Sequence, residues 1–158
     1  MSLESWKAEF YPIPADEVKK KDALAHSLRK WEGLRKENLE KHGVKRSGAS
    51  LTGLDGLGYM LIASESCALC VMAEKEAIGE MRPPRANASY CGKCPLYQLD
   101  KTSCDFMEGN PYNALTRAGN PEPMISLITR AIEEKTKVSE KRRMARRVKK
   151  TLDIPEKM

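Results

Sequence analysis

Five cysteines, all between residues 66 and 104, are the part of this sequence best suited to chemistry. They stand as Cys67-x2-Cys70, then twenty residues, then Cys91-x2-Cys94, then nine residues to Cys104. Two residues between cysteines let both sulfurs point at one ion from a tight turn. Two such turns build a tetrahedral thiolate site with bonds of about 2.3 Å. Cys67, Cys70, Cys91 and Cys94 are therefore the expected metal ligands. Gly92 is expected to supply a positive backbone angle in the second turn, and Lys93 to offset part of the −2 left by four thiolates on a divalent ion. Zinc is the expected cofactor, and an iron–sulfur cluster is the alternative because four thiolates also ligate four-iron cubanes. Five cysteines exceed four positions, so Cys104 is either a free buried thiol or a substitute ligand. A structural site of this kind supplies folding energy on the order of 10 kcal/mol.

Other cysteine chemistries fit less well. The odd count, and an N-terminus (Met1 to Phe10) with no apolar signal-peptide core, argue for a reducing, cytoplasmic setting rather than disulfides. A redox pair of the thioredoxin type needs an α/β pattern that the chain lacks. His26 and His42 read as surface or packing histidines. An enzyme is not expected. A closed thiolate shell leaves no open position, two histidines leave no readable Ser/His/Asp set, and no His-x-Glu precedes the cysteine pairs even though Glu65 and Glu74 flank the first.

The second chemical feature is charge. The net charge is +6, yet residues 135 to 150 hold nine basic residues and one acid, a local +8 that leaves −2 to the remainder. A near-neutral body with one basic segment calls for an anionic partner. Lys141, Arg142, Arg143, Arg146, Arg147, Lys149 and Lys150 recur densely enough to make a helical face wholly basic. No Asn, Gln or aromatic accompanies them to read or stack on bases, so the expected partner is nucleic acid bound through phosphate with low sequence specificity. An acidic protein surface is the alternative. In that case Val138, Ala145 and Leu152, spaced seven apart in continuation of Met124 and Ala131, form a docking seam.

These groups need positioning. The chain has 158 residues, is 41% hydrophobic and 32% charged, and is expected to be mainly α: a helical domain over 1–134 enclosing a small, zinc-knuckle-like metal-binding segment (66–104), then a basic helical arm and tail over 135–158. No run approaches the ~20 apolar residues that span a membrane. The Pro12 and Pro14 lead-in predicts a first helix carrying Val18, Leu24, Leu28, Trp31 and Leu34 on one stripe, bent or ended at Gly33. A short helix over 34–42 follows, closed by Gly43. Residues 43–58 hold five of the ten glycines and read as a structural loop with no phosphate-binding motif, and 59–63 as a strand or buried turn. A helix over 71–78, a Pro-rich loop at 82–85, a turn at Gly109-Asn110-Pro111 and a short helix over 112–117 come next. Asn120 and Pro121 then open a last helix. Its first half (Met124, Ile125, Leu127, Ile128, Ala131, Ile132) must be buried against the amino-terminal helices.

At Cys67-Ala68-Leu69-Cys70, Cys91-x2-Cys94-Pro95-Leu96-Tyr97, Cys104 and Pro111-Tyr112 the sequence resembles a loose group of small bacteriophage-type cysteine-cluster proteins. In these, a Cys-x-Leu-Cys turn precedes a Cys-x2-Cys-Pro-Leu turn, a further Cys and a Pro-Tyr. The likeness covers residues 66–132. It implies a metal-binding protein of phage type. It also raises Cys104 as a ligand and implies nothing about catalysis. Beside nucleic-acid binding, the alternative function is an interaction module, such as a phage-encoded inhibitor or adaptor of a host protein, folded around a structural zinc.

Overall fold

A computed structural model describes residues 1–79, 90–101, 104 and 110–152. The expected Pro-rich loop at 82–85, the Gly109 end of the expected turn and the tail at 153–158 lie outside the described residues. Among those described, the fold is mainly helical: α1 (Leu3–Phe10), α2 (Ala23–Glu32), α3 (Lys36–Lys41), α4 (Ala68–Gly79), α5 (Pro95–Asp100), α6 (Pro111–Ala118) and α7 (Glu122–Leu152), with a three-stranded sheet between α3 and α4.

Helix α1 is a finding beyond the sequence reading. Ser2 and Ser5 form its capping box, each side chain accepting the other's backbone N–H at 3.0–3.1 Å. Leu3, Trp6 and Phe10 then recur at helical spacing and are buried. The first expected helix starts later than read. Asp16 and Val18 fall in and just after a 3₁₀ turn at Ala15–Glu17, and a second 3₁₀ turn at Lys20–Asp22 leads into α2. Pro12 and Pro14 keep the chain before Ala15 from being helical, so it enters through short turns and not a continuous helix. Helix α2 buries Ala23, Leu24, Ser27, Lys30 and Trp31, and it packs against α7 and α4. Gly43 closes the α3 segment with φ +59°, as a residue at that position should.

The glycine-rich stretch is not the loop expected. Val44–Ser47 (β1), Ser50–Gly53 (β2) and Tyr59–Leu61 (β3) form an antiparallel meander with Val44 opposite Gly53 and Leu51 opposite Met60. Each strand buries one large apolar residue (Val44, Leu51, Met60), Gly53 is buried opposite Val44, and the remaining strand positions are half-buried or exposed. Gly48, at φ +57°, makes the two-residue hairpin turn between β1 and β2.

The apolar half of α7 lies where expected. Met124, Ile125, Leu127, Ile128 and Ala131 are buried, against α2 and also α5 and α6. The Asn120 side chain accepts the Glu122 N–H at 3.1 Å to start the helix, and Arg35 binds Glu122 with both Nε (2.6 Å) and Nη2 (3.1 Å). From Glu133 to Lys149 every residue of α7 is exposed. No helix among the described residues is long and apolar enough to cross a membrane.

Candidate functional site

The two Cys-x2-Cys turns are each tied to the start of a helix. Cys67 directly precedes α4, and its carbonyl accepts the Val71 N–H at 3.0 Å. Its sulfur accepts from the backbone N–H groups of Leu69 and Cys70, in the manner of an N-cap side chain. Cys94 takes the N-cap position of α5, with Pro95 in the first turn; the Leu96 and Tyr97 N–H groups favour its thiolate electrostatically without making a cap hydrogen bond. Cys-Pro is thus a helix-start signal, and α5 was readable from it. Cys91 sits in a 3₁₀ turn, Tyr90–Lys93, whose carbonyl–amide bond (Cys91 O to Cys94 N, 2.8 Å) closes the turn. Gly92 is not among the glycines with positive φ. A 3₁₀ turn uses right-handed angles, so the expected knuckle geometry is not needed there.

The electrostatics mark Cys67 as the thiolate. The Cys70 thiol donates to it. That donation is the largest influence; burial opposes ionisation, Lys30 and the two backbone N–H groups add to the donation, and the pKa falls to about 5. Cys70, donating to Cys67 and buried beside other sulfurs, is pushed strongly up. Burial pushes Cys94 up to about 11 against the pull of the α5 N–H groups.

Lys30 is the residue that sequence reasoning missed. It is 1% exposed and its Nζ donates to the Ser66 carbonyl at 2.6 Å, tying α2 to the turn that carries Cys67. Burial drives its pKa down, opposed by the sulfurs of Cys67, Cys70 and Cys104. The cation facing the sulfurs is therefore Lys30. Lys93, the residue expected in that role, borders a separate groove with Glu76, Gln98 and Glu134. A lysine on the apolar stripe of α2, three residues after Ser27 and beside Trp31, was the only available signal.

Lys30, Cys67, Cys70 and Cys104 line one cavity of about 230 Å³. Leu69, Leu96 and Tyr112 line it too, so residues from each part of the Cys-x-Leu-Cys, Cys-Pro-Leu, Cys and Pro-Tyr pattern meet there. Tyr112 donates its hydroxyl to the Ile62 carbonyl at 2.7 Å and its amide to the Cys104 carbonyl at 3.1 Å. Ser27 also reaches the cavity, with a buried hydroxyl that has no hydrogen-bond partner among the described residues. Among the described residues no three His, Cys, Asp or Glu side chains are grouped so as to hold an ion. Sulfur is the donor type that soft or borderline metals take, but the described residues do not bring three such side chains together.

The histidines lie elsewhere in role. His26 Nε2 donates to the Ile13 carbonyl at 2.7 Å, and its buried Nδ1 has no partner among the described residues. His42 is buried between Ser5 Oγ (2.9 Å to Nδ1) and Glu9 Oε2 (2.7 Å to Nε2). This Ser–His–Glu chain was not legible from spacing. Ser5 Oγ already bonds both Ser2 N and Ser2 O in the α1 cap, so the trio works as a clamp between α1 and the end of α3.

Lys141, Arg142, Arg143, Arg146, Arg147 and Lys149 are all exposed on α7, and Lys150 is helical with its side chain outside the description. The apolar Val138, Met144 and Val148 are exposed on the same helix. Comparison with known proteins finds no match to a family model, a curated protein or a solved structure.

Proposed function

We propose that this chain is a non-enzymatic, metal-binding protein that holds nucleic acid, with little sequence preference, on the basic half of α7. The carrying observation is the run from Glu133 to Lys149, helical and wholly exposed, continuing a helix whose first half is built into the core. Such a rod presents phosphate-binding side chains clear of the body, about 26 Å long for its seventeen residues. A metal at the cysteine site would be held by Cys67, Cys70 and Cys94 with one further sulfur. Zinc is the favoured ion and an iron–sulfur cluster the alternative. When bound, it supplies cross-linking of the α4 and α5 starts to the core.

The test is anisotropy of labelled DNA duplex and single-stranded RNA with the full chain across a salt series. Seven phosphate contacts give a log–log salt slope of about −6 on duplex DNA, and the double variant R146A/R147A reduces its magnitude by about 2. A flat salt response, or no binding, removes the reading. The exposed Val138, Met144 and Val148 favour one second reading, in which the arm docks in an acidic, partly apolar groove of another protein. Nuclease-insensitive co-purification with such a partner supports it.

A further inference from the structure

We infer that the groove at the root of the basic arm is a site for single-stranded nucleic acid, with phosphates on its rim and an unstacked base on its floor. The inference rests on the nucleic-acid reading proposed above and deepens it, naming the form of the ligand and the part of the body that helps to hold it.

The groove exists because α7 outruns the body. Ala131 is the last buried position before the exposed run. The face that packs in the core continues outward at three- and four-residue steps as Glu134, Lys135, Val138 and Arg142. These residues form one wall of a groove of about 540 Å³. The body forms the other wall: Lys20 in the turn before α2, Met72 and Glu76 on α4, Lys93 in the turn before α5, and Leu99 on α5. The volume falls within the range of pockets that take a drug-sized molecule, and a nucleotide is of that size class.

Charge and polarity select the occupant. Lys20, Lys93, Lys135 and Arg142 stand against Glu76 and Glu134, a formal +2 with cations on both walls. The two carboxylates are matched within the protein, Glu76 by Lys20 and Glu134 by Lys137. Lys135 also donates to the Lys21 carbonyl at 3.4 Å, which sets the lysine run at residues 19–21 beside the arm. The floor is apolar. Met72 and Leu99 are half-buried there, and Val138 is 46% exposed. Lys135 and Arg142 lie two turns apart on one face, about 10 Å along the axis, with Val138 between them. A duplex turns its bases inward and has only sugar and phosphate to offer such a floor. A single strand brings both phosphate and a base with an apolar face, and the Arg142 guanidinium is suited to stack on that base. Arg142 belongs to the groove wall and to the exposed basic run alike, so a strand seated here continues along the arm.

The experiment follows the anisotropy of a labelled oligouridylate strand, and of a duplex of the same length, with the full chain across a salt series. Wild type, Val138→Asn and Lys93→Gln are compared. The wild type is expected to bind the strand more tightly than the duplex. Val138→Asn leaves the charge alone and strips part of the floor. It is expected to weaken the strand about fivefold, the worth of roughly half a valine's burial, and to leave the duplex unchanged. Lys93→Gln, on the body, is expected to lower the magnitude of the strand's log–log salt slope by about 0.7, one phosphate contact. Photocrosslinking of a thiouridine-bearing strand to the wild type needs no variant and is expected to mark Met72, Leu99 or Val138. Crosslinks confined to residues beyond Arg142, or a Val138→Asn protein that holds the strand as the wild type does, would overturn the groove and leave the arm reading standing. An acidic peptide bound more tightly than the strand, with the same loss in Val138→Asn, would make the groove a protein site and overturn the proposal. A chain that binds no nucleic acid at all overturns the arm reading and the groove together.

Discussion

Replacing Gly33 by Ala should destabilise this protein, against the usual direction of that change. Gly33 ends α2 in an ordinary right-handed conformation (φ −62°, ψ −19°). On backbone grounds alone, Ala there would add about 0.4–1 kcal/mol by restricting the unfolded chain. Packing opposes this. An added Cβ would lie 2.6 Å from Phe10 Cβ and 2.9 Å from Phe10 Cδ2, with Cγ closer still. Those atoms are the root of the ring, and the ring is hemmed in by Trp6 (centroids 5.9 Å apart) and by the edge of His42 (5.8 Å). Relief therefore means moving α1 or α2. Overpacking of this kind costs about 1–3 kcal/mol, so the net loss is about 1–2 kcal/mol, or roughly 3–6 °C in Tm for a chain of this size. Urea unfolding followed by tryptophan fluorescence and thermal melts followed by circular dichroism both report it. In a double-mutant cycle with Phe10→Ala, which removes Cγ and Cδ2, the penalty of the added methyl should shrink. A Gly33→Ala protein as stable as wild type, or a penalty unchanged when Phe10 is truncated, would refute the reasoning.

Other expectations follow from single contacts. Trp6→Phe removes the indole N–H that reaches the Gly33 carbonyl at 2.8 Å in the core. An unpaired buried carbonyl costs about 1–3 kcal/mol, and a urea midpoint indistinguishable from wild type would contradict that. Lys41, and after it His42, hold the Glu9 carboxyl below its ordinary value of 4.5. A depressed carboxylate adds stability that is present above the unfolded-state pKa and is lost as pH falls through the lower folded-state one. Glu9→Gln should thus be the less stable protein at neutral pH and converge with wild type in acid, as read by urea midpoints from neutral pH to below 4.5. Parallel curves would count against the clamp. Removing everything after Glu134 takes away only exposed stretches of α7 among the described residues. Stability should then change by no more than about 0.5 kcal/mol while salt-dependent binding disappears, and a large drop in Tm would show the arm to be part of the body.

The helical class and the layout of α7 were legible because their signals are local and strong: Asn120-Pro121 at the start and six apolar residues in nine at the root. The sheet was not. Each strand buries a single large apolar side chain (Val44, Leu51 or Met60), too sparse for an alternation to stand out among glycines and serines. Helix α1 carries a stripe at Leu3, Trp6 and Phe10, but three apolar positions in eight residues are too few for a helical period to stand out. The cysteine pairs were plain from their spacing. Their setting was not, because Lys30 approaches from a different helix and Cys104 from a third segment. Spacing along the chain says nothing of which long-range neighbours share a cavity, and default rules place a lysine on the surface.

One consequence lies in α7. Met124 and Ile128 form part of the cavity wall, and the same helix runs on to Leu152 with neither Gly nor Pro after Pro123, hence no natural kink point. The heading of the basic rod is accordingly dictated at its base, where Arg35 grips Glu122. Any repacking around the sulfurs swings the far tip through an arc magnified by the rod's length. A spin label or fluorophore near Val148 would read that swing as a pointer reads a dial.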